Sequence, residues 1–230
     1  MYKYLITCEH GGNQIPTAYA ADFAAHTQLL QSHRGWDKGA LASALLISKR
    51  LHYPIYYSEI SRLLIECNRT LQHPELFSLI SKDFSDKEKD KIIKKYYLPY
   101  RNKLEKFISE NISQGHTIIH LSIHSFTPVL NGETRKTEIG ILYDPDRILE
   151  SAYALKWQKH IQKKSDTWRV KMNYPYLGID DGLTSYFRKL FLENYAGLEL
   201  EINNKLFDCY TTSHITNQVI PNFKFDKTIG

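Results

Sequence analysis

The sequence predicts a three-layer α/β/α fold around a mixed, mostly parallel sheet, and three observations carry that expectation. Short runs rich in β-branched residues alternate with longer segments of helical periodicity, the order of a layered α/β protein. No repeat, low-complexity linker or shift in composition interrupts them. A length of 230 residues is enough to bury a full core and suits one domain, residues 1–230, better than two.

Residues 2–8 read as the first strand, and Glu9-His10-Gly11-Gly12-Asn13 breaks it with residues that allow a tight turn and close backbone approach. Residues 18–30 have modest helical character, and residues 32–37 are polar and turn-prone around Trp36. Asp37 opens the next helix, residues 38–51. Its Leu41, Ala44, Leu45, Ser48 and Leu51 have the spacing of a stripe that packs on a sheet, and Pro54 stops it. Residues 55–58 and 63–67 are strand candidates, the second ending at Asn68-Arg69. Ser85 and Glu88 form a capping box for a helix running to about residue 111, bent at Pro99. Residues 117–121 are a β-branched run that places His124 at the C-terminal end of a strand. A polar loop at 131–136 and a strand at 139–143 follow. Residues 147–164 are helical by their Ile148, Ala152, Leu155 and His160 pattern, and 168–172 is a further strand candidate. After a loop at 174–182 come a helix at 184–194 and a last core strand at 197–202, whose alternation puts Glu199 and Glu201 on one face. Beyond Asn204 the chain reads as irregular.

The formal charge of +5 raises the question of nucleic acid. However, Lys87, Lys89, Lys91, Lys94 and Lys95 are interleaved with Asp86, Glu88 and Asp90 on a helical segment, which is a solvated face. The turn after the first strand lacks the spacing of a nucleotide-binding loop. Cys8, Cys67 and Cys209 are too few and too scattered for a disulfide framework, so a reducing cytoplasm is expected. The N-terminus enters a strand pattern directly and no apolar run reaches the length of a membrane span, so neither secretion nor membrane insertion is expected.

The polar residues that stand out all fall at or beside predicted strand ends, which points to one site. A catalytic zinc takes three protein ligands from histidine and carboxylate, and His10, Asp37 and His124 can supply them. Glu201 is placed to act as general base, and Arg69 or Arg62 implies an acidic substrate held by paired hydrogen bonds. Each residue also has a plainer reading. His10 can be a turn residue, Asp37 an N-cap, Glu199 and Glu201 the outer face of an edge strand, and Arg69 a partner of Glu66. His33 lies close enough to Asp37 in sequence to support it from behind.

Five ordered motifs resemble the N-formylglutamate amidohydrolases, from residue 5 to about 203. They are Cys8-Glu9-His10-Gly11-Gly12-Asn13 with Ile15-Pro16; Ser32 through Ala40; Ser61 through Arg69; His124-Ser125-Phe126-Thr127-Pro128; and Glu199 through Asn203. That family is similar to the zinc carboxypeptidases and aspartoacylases, which implies a mixed sheet sandwiched by helices and a zinc site with a nearby glutamate and an Asn-Arg pair. The resemblance assigns His124 as the late zinc histidine, Asn68 and Arg69 as the carboxylate-binding pair, and Glu201 as the catalytic glutamate. Where those relatives have His-x-x-Glu, this chain has His10 followed by Asn13. The missing carboxylate is therefore expected from Asp37, which opens the comparable helix, with Glu9 as its rival. The implied reaction is zinc-dependent hydrolysis of a small acidic N-acyl amino acid, N-formylglutamate, with Arg62 on the second carboxylate or the oxyanion. Two alternatives stand beside it: a peptidase or deacylase for another acylated amino acid or short peptide, and a binding protein that has kept the pocket.

Overall fold

The computed structural model describes residues 1–220. Among them the strands are β1 (Tyr2–Cys8), β2 (Ile55–Tyr57), β3 (Thr117–Phe126), β4 (Val129–Leu130), β5 (Glu133–Thr134), β6 (Ile139–Leu142), β7 (Val170–Met172) and β8 (Tyr195–Asn203). Six of them form the main sheet in the order β2-β1-β3-β8-β6-β7. Every neighbouring pair is parallel save β6 and β8, which gives the mixed, mostly parallel sheet that the sequence predicts. β4 and β5 make a small separate hairpin after β3. The principal helices are α1 (Ala40–Leu51), α2 (Asp86–Ile92), α3 (Leu98–Ser113), α4 (Ile148–Lys164), α5 (Leu183–Leu190) and α6 (Thr212–Val219). Among the described residues no helix is long and apolar enough to cross a membrane.

Period-two alternation gives the sheet two apolar faces, each covered by helices. On one face Ile6, Ile119, Leu121, Ile123, Leu198 and Leu200 meet Ala44 and Ile47 of α1, Trp157 of α4 and Ile215 of α6. On the other, Leu5, Ile118 and Tyr195 meet Leu104 and Ile108 of α3 and Phe187 of α5.

Several local expectations change. Residues 63–67 are buried but not a strand, because their N–H groups bond locally: those of Leu64 and Ile65 to the Ser61 carbonyl, and that of Glu66 to the Leu76 carbonyl. Asn68-Arg69 consequently sits in a turn. α1 buries Ala40, Ser43, Ala44 and Ile47, while Leu45 is exposed, since small side chains let the helix approach the sheet closely. α4 likewise presents Glu150, Tyr153, Ala154, Trp157 and Ile161 inward and leaves Ile148 and Leu155 outside. The expected helix at 184–194 stops at Leu190, and the stretch beyond Asn204 contains a one-turn helix, Leu206–Cys209, and then α6. Half of the capping box forms, with Ser85 Oγ accepting from the Glu88 N–H at 3.3 Å, while the Glu88 carboxylate accepts from the Tyr19 hydroxyl and Lys91 Nζ instead. The bend near Pro99 takes the form of a π turn, Ile93–Tyr97, directly before α3; proline has no N–H to return to the preceding turn.

A buried ion pair explains why α4 turns a glutamate inward. Glu150 Oε1 accepts from Arg188 Nε and from the Gly197 N–H, both at 2.9 Å, and Arg188 also donates to the carbonyls of Gly178 and Gly197. The start of β8 is thereby tied to α4 and α5. Glu150→Gln is expected to destabilise the protein by about 3–5 kcal/mol, because the guanidinium stays buried without its counter-charge. The check is a lower denaturation midpoint at unchanged slope.

Candidate functional site

The site arises from the alternation of two neighbouring strands. One face of β3 stays apolar through Ile119, Leu121 and Ile123, while the other passes from Ile118 through His120 and Ser122 to His124. β8 repeats the pattern, with Leu198, Leu200 and Ile202 on one face and Glu199 and Glu201 on the other. Register sets Ser122 beside Glu199 and His124 beside Glu201. One sheet face therefore turns polar toward the C-terminal ends of the parallel strands, the edge at which open α/β sheets bind ligands. β6 flanks β8 with Gly140 opposite Glu201. A Cβ on Gly140 would stand 1.7 Å from the Tyr174 carbonyl oxygen, so a side chain there would displace the loop over the site. After β1, a Cβ on Gly12 would lie 2.6 Å from the Glu59 carbonyl oxygen, which is why this turn needs its glycines.

His10, Asp37 and His124 are all buried, and one ligand atom from each lies within 4.8 Å of the others, close enough to hold a metal ion together. Asp37 Oδ2 is 3.3 Å from His10 Nδ1 and 3.0 Å from His124 Nδ1. It also accepts from the Ser125 N–H at 3.2 Å, while Asp37 Oδ1 takes the Arg62 guanidinium. Asp37 is thus not the N-cap: Gly39 occupies that position, and the carboxylate faces the cluster. Both imidazoles are braced from behind on Nε2, His10 by Glu66 Oε1 at 2.5 Å and His124 by Glu9 Oε2 at 3.0 Å. Glu9 accepts in addition from the hydroxyls of Tyr100 at 2.6 Å and Ser122 at 2.5 Å, which places it behind His124 rather than among the converging atoms.

Burial, followed by the charge of Arg62, holds His10 down to about 4, so it is neutral at physiological pH. Its one N–H is spent on Glu66, which its partners keep well below the usual carboxylate range despite burial. The Nδ1 lone pair then faces a carboxylate oxygen, two acceptors between which a cation could sit. His124 differs: burial pushes it down, but the bond to Glu9 and the charges around it raise it to about 9 in the metal-free chain. A metal ion held by the cluster would take the place of that proton.

Glu201 is buried beside this cluster, and its Oε2 has no hydrogen-bond partner among the described residues. Glu199 is held by Thr184 Oγ1 at 2.6 Å. Asn68 Oδ1 accepts from the Leu183 N–H at 2.7 Å, tying its turn to α5, and Arg69 Nη1 donates to the Asp181 carbonyl. The Arg69 side chain is thus turned to Asp181, and it is the Arg69 backbone N–H that donates to the Glu66 carbonyl, at 3.2 Å. All seven residues singled out from the sequence, His10, Asp37, Arg62, Asn68, Arg69, His124 and Glu201, line one cavity of about 170 Å³, together with His33, Tyr176 and Asp181. That is small-molecule size, below the ~300–1,000 Å³ of pockets for drug-sized ligands. Sequence reasoning missed Glu66 and the 176–182 loop. The signal available for Glu66 was its place in the Glu66-Cys67-Asn68-Arg69 motif.

A polar cavity at the C-terminal edge of a mostly parallel sheet defines an α/β protein with a small-molecule site. Comparison with known proteins is specific about which kind. The model of the N-formylglutamate amidohydrolases matches residues 2–207, and the chain belongs to that family of amide-hydrolysing enzymes. Among solved structures, a gene product from Agrobacterium tumefaciens is 26% identical, with a TM-score of 0.78 over 94% of this chain and 88% of that one. An N-formylglutamate amidohydrolase from Ralstonia eutropha shares the fold at 14% identity, with a TM-score of 0.62 over 94% of this chain and 91% of that one. No curated protein matches the sequence.

Proposed function

We propose that this chain is a cytoplasmic, single-domain, zinc-dependent amidohydrolase that splits N-formylglutamate into glutamate and formate. The observation that carries the reading is the convergence of two braced imidazole Nδ1 atoms on one carboxylate, next to a buried carboxylate oxygen with no partner. His10, Asp37 and His124 would hold the ion, and their nitrogen and oxygen donors fit zinc at three protein ligands. Bound Zn²⁺ supplies a Lewis acid that acidifies a water and polarises a carbonyl. Glu66 and Glu9 fix the histidine tautomers and make both rings better donors. Arg62 acts through Asp37 as a positioning residue, keeping that carboxylate aimed at the cluster. Glu201 takes one proton of the water as the hydroxyl adds to the formyl carbon, and returns it to the amine nitrogen as the C–N bond breaks and formate is released. Arg69, with its turn fixed by Asn68, holds a substrate carboxylate by charge-assisted hydrogen bonds. Leu177 and Ile179, half-exposed or more at and beside the cavity rim, favour a larger acyl group as the second reading.

The test is metal analysis and turnover on the same preparation. Chelator-free protein is expected to hold about one zinc per chain and to release formate from N-formylglutamate. A protein that takes up no zinc on reconstitution, or hydrolyses no N-acyl amino acid, overturns the proposal. Ligand and brace separate in a zinc titration. Asp37→Asn is expected to weaken binding more than Glu9→Gln, whose loss should stay in the roughly 10–100-fold range of a residue acting through a ligand. The reverse order would make Glu9 the ligand.

A further inference from the structure

We propose that Arg135 is a specificity-determining residue that reads the side-chain carboxylate of the substrate, leaving the α-carboxylate to Arg69. This rests on the function proposed above. Two guanidinium groups line the cavity, Arg62 held to Asp37 and Arg69 with Nη1 on the Asp181 carbonyl, and that of Arg135 packs against two rings of the cavity wall. The Arg135 Nη1 is buried and has no hydrogen-bond partner among the described residues, a condition that folded proteins rarely leave without a ligand or water to relieve it. Arg62 Nε is likewise buried without a partner, but the Arg62 fork is held by Asp37, whereas no carboxylate among the described residues pairs with Arg135.

Its surroundings say where that ligand comes from. The guanidinium lies 5.9 Å from the ring centroid of Phe126 and 5.4 Å from that of Tyr176, and both rings line the cavity. The Arg135 charge acts on Glu201 and His33, which line the same cavity. The position of Arg135 is fixed by the catalytic strand itself. Asn203, fully buried at the end of β8 and two residues past Glu201, donates from Nδ2 to the Arg135 carbonyl at 3.0 Å. The Arg135 N–H in turn donates to the Pro128 carbonyl at 2.7 Å. An arginine held against two aromatic faces keeps its planar fork free for a carboxylate, and the rings offer apolar contact to the methylenes of an extended side chain.

The experiment compares N-formylglutamate with N-formylglutamine, which differs only in that side-chain carboxylate, in the zinc-loaded parent, Arg135→Gln, Arg135→Lys and Arg69→Gln proteins. Arg135→Gln should raise KM for the diacid by roughly 10–100-fold, the worth of a charged hydrogen bond, with a much smaller change for N-formylglutamine. Arg135→Lys, which restores charge without the fork, should fall between the two. Arg69→Gln should impair both substrates alike. Equal losses on both substrates in Arg135→Gln, or none on either, would make Arg135 a structural plug and overturn the assignment. If the parent enzyme hydrolyses neither compound, the proposed function fails by itself. Calorimetric binding of glutarate then decides for Arg135, with weakening in Arg135→Gln supporting its role and unchanged affinity overturning it.

Discussion

Glu201→Gln is expected to lower kcat by about 10²–10⁴-fold, the usual contribution of a positioned general base, while zinc content and KM stay near those of the parent. The substitution keeps shape and removes only the proton acceptor, so the loss falls on the transition state and not on binding. Burial is the main cause that lifts Glu201 to about 7. His124 and Arg62 oppose it, and Glu199 reinforces it. The sign follows: a base with a raised pKa is protonated and inactive below that value, so kcat/KM falls as pH falls through the acid limb. A divalent cation in the neighbouring cluster favours the carboxylate form, which places the limb of the loaded enzyme below 7. The Gln variant should lose that limb together with the rate. A Glu201→Gln enzyme of full activity with an unchanged pH profile would mean that the chemistry lies elsewhere.

His124→Ala should abolish stable zinc binding, and activity with it. Among the described residues His124 is one of three converging donors, so its removal should exceed the roughly 10–100-fold cost of losing a residue that merely braces a ligand. A control comes from the same strand. His120 is as deeply buried, but both its ring nitrogens are satisfied, by Thr7 Oγ1 at 2.8 Å and the Tyr195 hydroxyl at 2.6 Å. His120→Gln should therefore keep its zinc even if it costs stability. Equal zinc content in the folded His124→Ala and parent proteins would remove His124 from the ligand set.

Both histidines sit on the same face of β3, and nothing in the residue type separates them. What separates them is depth along the strand. His120 lies under the aromatic rings of Phe187 and Tyr195, whereas His124 has passed beyond the helix cover to the open edge. The sequence placed His124 at the end of a strand of five residues. β3 in fact continues to Phe126, because β8 pairs with it along that whole length.

Local rules were enough for much of this protein. Alternation placed Glu199 and Glu201 on one face, β-branched runs located the strands of the sheet, the capping box located α2, and the motifs around His10, Asp37, Asn68-Arg69, His124 and Glu201 named residues that do line one cavity. These properties are readable because period and propensity act over a few residues. Only the tertiary structure decided the rest. Residues 63–67 have a strand's composition, but a short apolar run does not say whether a neighbouring strand will offer it hydrogen bonds, and here none does. The inward faces of α1 and α4 were set by close approach to the sheet and by the Glu150–Arg188 pair, neither of which a hydrophobic stripe records. The pairings of Glu66 with His10, Glu9 with His124 and Arg62 with Asp37 join residues 25 to 115 positions apart. Such contacts depend on how the turns after β1, β2 and β3 meet at one edge. That meeting is a property of the assembled sheet, and no local pattern in the chain encodes it.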